Sequence, residues 1–495
     1  MRILQNTIWI GACAVALCVP SVRAQQEQQP QQPQQPGDQQ APAQASGPIP
    51  AYRSPLASAA GNNDADEGAQ ELTPDTTSLS GAQNLTLGMP TVRSYWQPHF
   101  DFSLTANSNP IETANSPGWG AWASISGGID IHRISGSNQM ALSYTSGGEF
   151  TNYSGVKNGV EQGLSFSDKF GFRRWSLAFF DSLSYLPATS FGFGGLSGNA
   201  ISSGSSSGLG STFTNGQSLL TGYGQNIGNS FATEVDTFLT PRTSLTFVGG
   251  YSLLHYFDSD LLDYGNYNFR AGYNYQMTRN DTLAAFYTYG GFRYGNFDQS
   301  IDSHTVQVSY GRRVTGHLAF QVAAGPQIVI SRIPVEGNSG ATGGGTATVT
   351  NSTQLFWSLT TALQWQLNRT SMGLTYNHGV GGGSGVLAGT ESDVVAGSVT
   401  RQISRTFSNG LSAGFSRSKG VAITSETAAS QTYDYWFAGA SLTHPIGRTL
   451  GLTFSYQMQY QTSDASFCFG PTCGTSVIGH FISVGVGWHE RPLLF

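Results

Sequence analysis

Leu355-Phe356-Trp357-Ser358-Leu359-Thr360-Thr361-Ala362-Leu363-Gln364-Trp365-Gln366-Leu367 changes character at every step. Leu355, Trp357, Leu359, Leu363, Trp365 and Leu367, with Thr361 among them, make one almost wholly apolar set. Phe356, Ser358, Thr360, Ala362, Gln364 and Gln366 make a second, mostly small and polar. Side chains alternate across a β-strand, so this period of two predicts a strand with one greasy and one wet face. The stretch is also long. A globular strand runs ~5–6 residues, whereas a tilted strand crossing a bilayer needs ~9–11.

The pattern recurs along the chain. Leu450, Leu452, Phe454, Tyr456, Met458 and Tyr460 oppose Gly451, Thr453, Ser455, Gln457 and Gln459; Tyr267, Phe269, Ala271, Tyr273 and Tyr275 oppose Asn268, Arg270, Gly272 and Asn274. A β-sandwich would show the same alternation, so the connections carry the decision. Short turns fall near 133–138, 170–174, 240–243, 278–281, 313–317, 367–370, 404–410 and 444–449. Between them, Gly/Ser/Asn-rich links fall near 107–117, 146–159, 187–225, 257–265, 291–301, 332–352, 379–391, 419–430 and 461–475. Strict alternation of short turns with long links is the plan of a transmembrane barrel of antiparallel, up-and-down strands. The fold class expected is therefore all-β: about eighteen strands over 96–495, or sixteen or twenty if one hairpin is missed or spurious. An even count puts both ends of the barrel on the short-turn, periplasmic side.

Composition agrees. Charged residues are 11% of the 495, against roughly 25% in soluble domains, because a lipid-facing wall must avoid charge. Yet mean hydropathy is −0.18, and beyond the N-terminus no apolar run reaches the ~18 residues a membrane helix requires. A net charge of −6 excludes the basic footprint of a nucleic-acid binder.

Residues 1–24 read as a signal peptide: Arg2, an apolar core from Ile8 to Val19, and a small-x-small site at Val22-Arg23-Ala24. Ile10-Gly11-Ala12-Cys13 superficially resembles a lipoprotein box but comes too early in the apolar core. Residues 25–95, rich in Gln, Pro and Ala, hold too few apolar groups to offset the entropy of ordering, and are expected to be a disordered periplasmic leader. Removing the signal peptide leaves Cys468 and Cys473. In an oxidising compartment these are expected to form a local disulfide, with a metal pair or two free thiols as alternatives.

The short turns repeat as Leu239-Thr240-Pro241-Arg242-Thr243-Ser244-Leu245, Met277-Thr278-Arg279-Asn280-Asp281-Thr282-Leu283, Leu367-Asn368-Arg369-Thr370-Ser371-Met372 and Ile446-Gly447-Arg448-Thr449-Leu450. Their arginines suit a solvated rim that keeps each strand from sliding into lipid. The last alternating segment, from Ile478 to Trp488, precedes a terminal Phe495. It resembles the signal read by the outer-membrane barrel-assembly machinery, although Pro492 interrupts it, so the regular strand should stop near Trp488.

These tandem hairpins resemble the outer-membrane β-barrel porin families of Gram-negative bacteria, and the eighteen-strand count also resembles exopolysaccharide-associated barrels. The resemblance is architectural, covers roughly 97–495 and has no diagnostic motif. It implies an outer-membrane location with lipid as surroundings, and transport of an unfixed solute. The leading expectation is a porin-like channel for passive diffusion of small hydrophilic solutes. The alternatives are an exopolysaccharide-export pore and a structural or adhesive barrel acting through its loops; a homo-oligomer is left open.

No metal-spaced His/Cys cluster, phosphate-cradling glycine motif or nucleophile elbow stands out, so no catalytic residue, cofactor or metal is assigned. Giving the wetter face of each strand to the lumen places Asp101, Asp130, Lys169, Glu234, Asp236, Arg270 and Arg401 inside, among Ser, Thr, Asn and Gln. That interior is polar without a ring of one sign. Residues 187–225 would either fold inward as a constriction or remain an external loop.

Overall fold

The computed structural model describes residues 94–110, 118–153, 158–186, 225–257, 262–295, 299–335, 348–382, 387, 389–404, 406–421, 432–463 and 476–494. Residues 1–93, most of 187–225, and the Cys468 and Cys473 pair lie outside them.

Eighteen long strands follow in chain order: β1 (Tyr95–Asn107), β2 (Gly120–Ser135), β3 (Asn138–Thr151), β4 (Gly159–Gly171), β5 (Trp175–Leu186), β6 (Asn226–Thr240), β7 (Thr243–Tyr256), β8 (Tyr264–Gln276) and β9 (Asp281–Tyr294). The second half comprises β10 (Ser300–Arg313), β11 (Leu318–Val335), β12 (Thr348–Leu367), β13 (Thr370–Gly381), β14 (Thr390–Gln402), β15 (Ser408–Gly420), β16 (Thr432–Ile446), β17 (Leu450–Ser463) and β18 (Ser476–His489). Each pairs antiparallel with the next, and β18 returns to β1 through partners running from His99↔His489 to Asn107↔Phe481. The barrel is closed, which removes the sheet edges that lipid could not satisfy. Leu493–Leu494 makes a last short pairing with Tyr95 and Trp96, so the regular strand ends just before Pro492, as that proline requires.

Antiparallel register sets cross-strand partners on the same face. Phe102 lies between Ile125 and Val486, and Leu363 between Phe320 and Leu374. The apolar set is the exposed one: Phe100, Leu104, Phe247, Phe269, Leu355, Trp357, Leu411 and Phe454 are all open to the outside. Asn266, Asn268, Ser309, Ser416 and Gln459 are buried on the opposite face. This inversion of a soluble protein is what a bilayer imposes.

The repeating short turns have a physical cause. The Thr278 hydroxyl accepts from the backbone N–H of Asn280 and Asp281 and donates to the Asp281 carboxylate at 2.6 Å. Thr240 accepts from Arg242 N–H, Thr315 from His317 N–H, and Ser404 from Thr406 and Phe407 N–H. A hydroxyl that satisfies the turn's own donors lets the chain reverse in a few residues.

Along β14 the outer face reads Asp393, Val395, Gly397, Val399, Arg401. Those eight steps at ~3.3 Å, tilted ~40°, give an uncharged band ~20 Å tall, near the ~25 Å expected of an outer-membrane barrel. Its upper rim carries Arg293, Arg332 and Tyr289 around Asp302, and Arg417 paired with Asp434 at 2.7 Å. Its lower rim carries Arg312 beside Asp281 at 3.5 Å.

Candidate functional site

The lumen is built by the wet faces of the strands, and the register orders its charges. Lys169 lies opposite Gln139 and Ala178, Ala178 opposite Glu234, Glu234 opposite Val248, and Val248 opposite Arg270. The same row continues through Thr288, Thr305 and Gln327. Rows run perpendicular to the tilted strands, so this one climbs: Lys169 sits near the short-turn end of β4, Thr305 near the long-link end of β10. Lys169, Glu234 and Arg270 therefore form a staircase of alternating charge separated by small side chains. Glu234 acts electrostatically on Arg270, whose Nε donates to Thr288 Oγ1 at 3.0 Å and whose guanidinium lies 4.8 Å from the centre of the Phe286 ring. Asp236, below Glu234, accepts from the Thr246 and Ser176 hydroxyls at 2.6 and 3.3 Å.

Asp101 and Asp130 share this face in the β1–β2 wall. Asp101 lies between Ser126 and Gly487, and a Cβ at Gly487 would come within 2.6 Å of its carboxylate. Asp130 Oδ2 is 3.2 Å from His99 Nδ1, and His99 Nε2 is 3.3 Å from Thr145 Oγ1. Arg401 falls elsewhere. It pairs with Thr370 and Asn409, on the face of Met372, Val399 and Leu411, which is the lipid side at the short-turn rim. The lumen assignment made for it from sequence is therefore corrected.

Sequence reading missed an inward fold of the β13–β15 tips. β13 pairs with β12 only from Leu367↔Thr370 up to Leu359↔His378, whereas β12 stays with β11 as far as Thr348. Above His378 the chain crosses the inner face of β12. Val380 donates its N–H to Gln327 Oε1 at 2.9 Å and accepts from Gln327 Nε2 at 3.0 Å. Tyr294 donates its hydroxyl to the Gly382 carbonyl. Val380 and Val421 pack with Leu254, Tyr256, Phe292, Tyr294, Ile301 and Val329, against Phe356, and Leu387 is buried as well. Glycine is required twice. A Cβ on Gly382 would meet the Phe292 ring at 2.4 Å; one on Gly389, where φ is +79°, would meet Ile301 Cδ1 at 2.1 Å. The sequence carried a signal for this packing: Leu254, Tyr256, Phe292, Ile301 and Val329 are apolar on an otherwise wet face.

One further feature lies on the inner face of the upper wall. Phe437 lies opposite Gln459 and Tyr435 opposite Gln461 across β16 and β17, with Tyr433 and Gln457 next along the same face. Among the described residues no group of three or more His, Cys, Asp or Glu could hold a metal ion.

Fold and lumen define a transmembrane β-barrel of the outer-membrane type. No family model matches the sequence, and no curated protein matches it. Solved structures with a similar fold include Acinetobacter baumannii OccAB3, 9% identical with a TM-score of 0.40 over 80% of this chain and 99% of that one. Pseudomonas aeruginosa OpdQ is 10% identical with a TM-score of 0.40, over 81% and 100%. The ferric-catecholate import receptor Fiu of E. coli is 8% identical with a TM-score of 0.37, over 81% and 82%.

Proposed function

We propose that this protein is a passive outer-membrane channel for small hydrophilic solutes, narrowed near its outer end by the inward-folded β13–β15 tips. The observation that carries the reading is the lumen wall itself. It offers hydroxyls and amides with a sparse staircase of both charge signs, which suits uncharged or weakly charged polar solutes better than polyanions. A barrel of this strand number encloses an aqueous channel unless something fills it. The apolar cluster holding the tips fixes one side of the constriction, so size selection falls there and orientation falls to Lys169, Glu234 and Arg270.

Single-channel recording of the mature chain in planar bilayers tests this. Steady openings of weak ion selectivity are expected, with and without residues 25–95. Silence in both forms would overturn the reading and leave a structural barrel; silence relieved by truncation would make the leader a gate.

The export of a sugar polymer is favoured by one specific observation. The rings of Tyr435 and Phe437 and the amide of Gln459 are almost fully buried together, and both amide atoms of Gln459 lack a hydrogen-bond partner, a demand that the hydroxyls of a bound sugar would meet. Block of the open channel by neutral oligosaccharides, lost in Gln459→Leu, would support that reading over simple diffusion.

A further inference from the structure

The outer wall is not uniform, and the exception lies on β3–β6. On β5 the lipid-side column reads Trp175, Leu177, Phe179, Asp181, Leu183, Tyr185. Trp175 stacks on Phe172 at 3.9 Å at the lower rim. Six residues of strand, ~20 Å at ~3.3 Å each and tilted ~40°, lift Asp181 ~15 Å above that rim, into the upper half of the apolar band. Its register partners are Phe166 and Phe231, and the Asn229 amide donates to its Oδ1 at 2.9 Å. Asp168, between Phe166 and Phe170 on β4, accepts from the Asn138 amide at 2.6 Å. Ser146, Gln162, Thr233 and Thr237 are polar on the same face. Among the described residues on the outer faces of the other strands, Asp, Glu, Lys and Arg occur only towards the rims.

Acyl chains supply no hydrogen-bond donor and no dielectric for a carboxylate. We propose that the β3–β6 wall is covered by a second copy of this chain. The inference rests on the barrel spanning a membrane. A copy suits the wall because it carries both halves of the chemistry: the Asp181 carboxylate well inside the wall, and amide or hydroxyl donors at Ser146, Gln162 and Thr233 on the same face. Four strands ~4.8 Å apart and ~25 Å tall present ~500 Å² in projection. With side-chain relief this approaches the ~800 Å² per partner of a stable interface.

The test places benzoylphenylalanine at Phe231 or Leu164 on this wall, and at Trp365 or Val484 on the apolar wall, in the full chain within its own membrane. Two co-expressed copies with tags of different size identify chain-to-chain adducts. Phe231 and Leu164 are expected to give copy-to-copy adducts, and Trp365 and Val484 acyl-chain adducts. Replacing both Asp181 and Asn229 with Leu should cut the copy-to-copy yield at least fivefold, while heat-modifiable gel mobility reports an intact barrel. Equal yields from both walls, acyl adducts alone from β3–β6, or adducts to a different protein would overturn the proposal. Absence of acyl adducts at Trp365 and Val484 would instead count against membrane insertion itself.

Discussion

β12 and β5 obey the same alternation yet build different walls. Leu359, Thr361, Leu363, Trp365 and Leu367 leave the outer face of β12 uncharged down to its lower rim, whereas β5 interrupts Trp175, Leu177, Phe179 and Leu183 with Asp181. The difference teaches that period fixes which way a side chain points, while depth fixes what its chemistry costs. A charge at Arg401, on the rim, is solvated; a charge well inside a wall, as at Asp181, requires a protein partner.

The largest effect expected from breaking this contrast is at Leu363. Leu363→Arg puts a cation into the apolar wall well above the rim and should cost about 2–4 kcal/mol of barrel stability, read from urea titrations of folding into lipid vesicles. A cost below ~1 kcal/mol would mean that this wall, too, is covered by protein or water.

The lumen shows a parallel contrast between its polar lower wall and its apolar upper cluster. Phe292→Ala should destabilise the packing that holds the β13–β15 tips by about 3 kcal/mol, freeing the constriction. Unitary conductance is expected to rise with little change in the melting of the barrel, because the substitution removes the ring packed on the tips while the backbone of Phe292 keeps its place between β8 and β10. An unchanged conductance would place the narrowest point elsewhere.

Gln327 refines that test. Gln327→Leu removes both hydrogen bonds to Val380 and leaves its backbone groups unpaired, a cost of about 1–3 kcal/mol. Conductance should flicker between two levels as the tip detaches and returns, rather than rise steadily as in Phe292→Ala.

What was legible from sequence follows the same physics. Strand count and closure could be read because each hairpin signals locally, through alternation and through a turn such as Thr278-Arg279-Asn280-Asp281 whose hydroxyl closes it. The staircase could be read in part, since Lys169, Glu234 and Arg270 each stand on a clearly wet face. Arg401 was misassigned because Val394, Val395, Ala396 and Gly397 are small or apolar on both faces, and a slip of one residue exchanges the faces entirely. The inward tips were hidden because the Gly-rich run from Gly379 to Gly385 resembles an external link, and its contacts lie far off in sequence, Gly382 against Phe292 and Gly389 against Ile301. The polar wall was hidden because Asp181 becomes anomalous only once its height above Trp175 is known.

The smallest effect compares two arginines that sequence alone placed together. Arg270 lies in the lumen row with Glu234, so Arg270→Gln removes one cation from the path and should shift the channel's preference toward cations, measured as reversal potential under a salt gradient. Arg401→Gln removes an equal charge, but at the solvated outer rim, separated from the path by the wall. Its stability change should stay within ~0.5 kcal/mol, and its reversal potential should match the parent chain. A matching shift in both variants would mean that selectivity follows the net charge of the barrel. A shift confined to Arg270→Gln would locate selectivity on the row that climbs from Lys169 to Gln327.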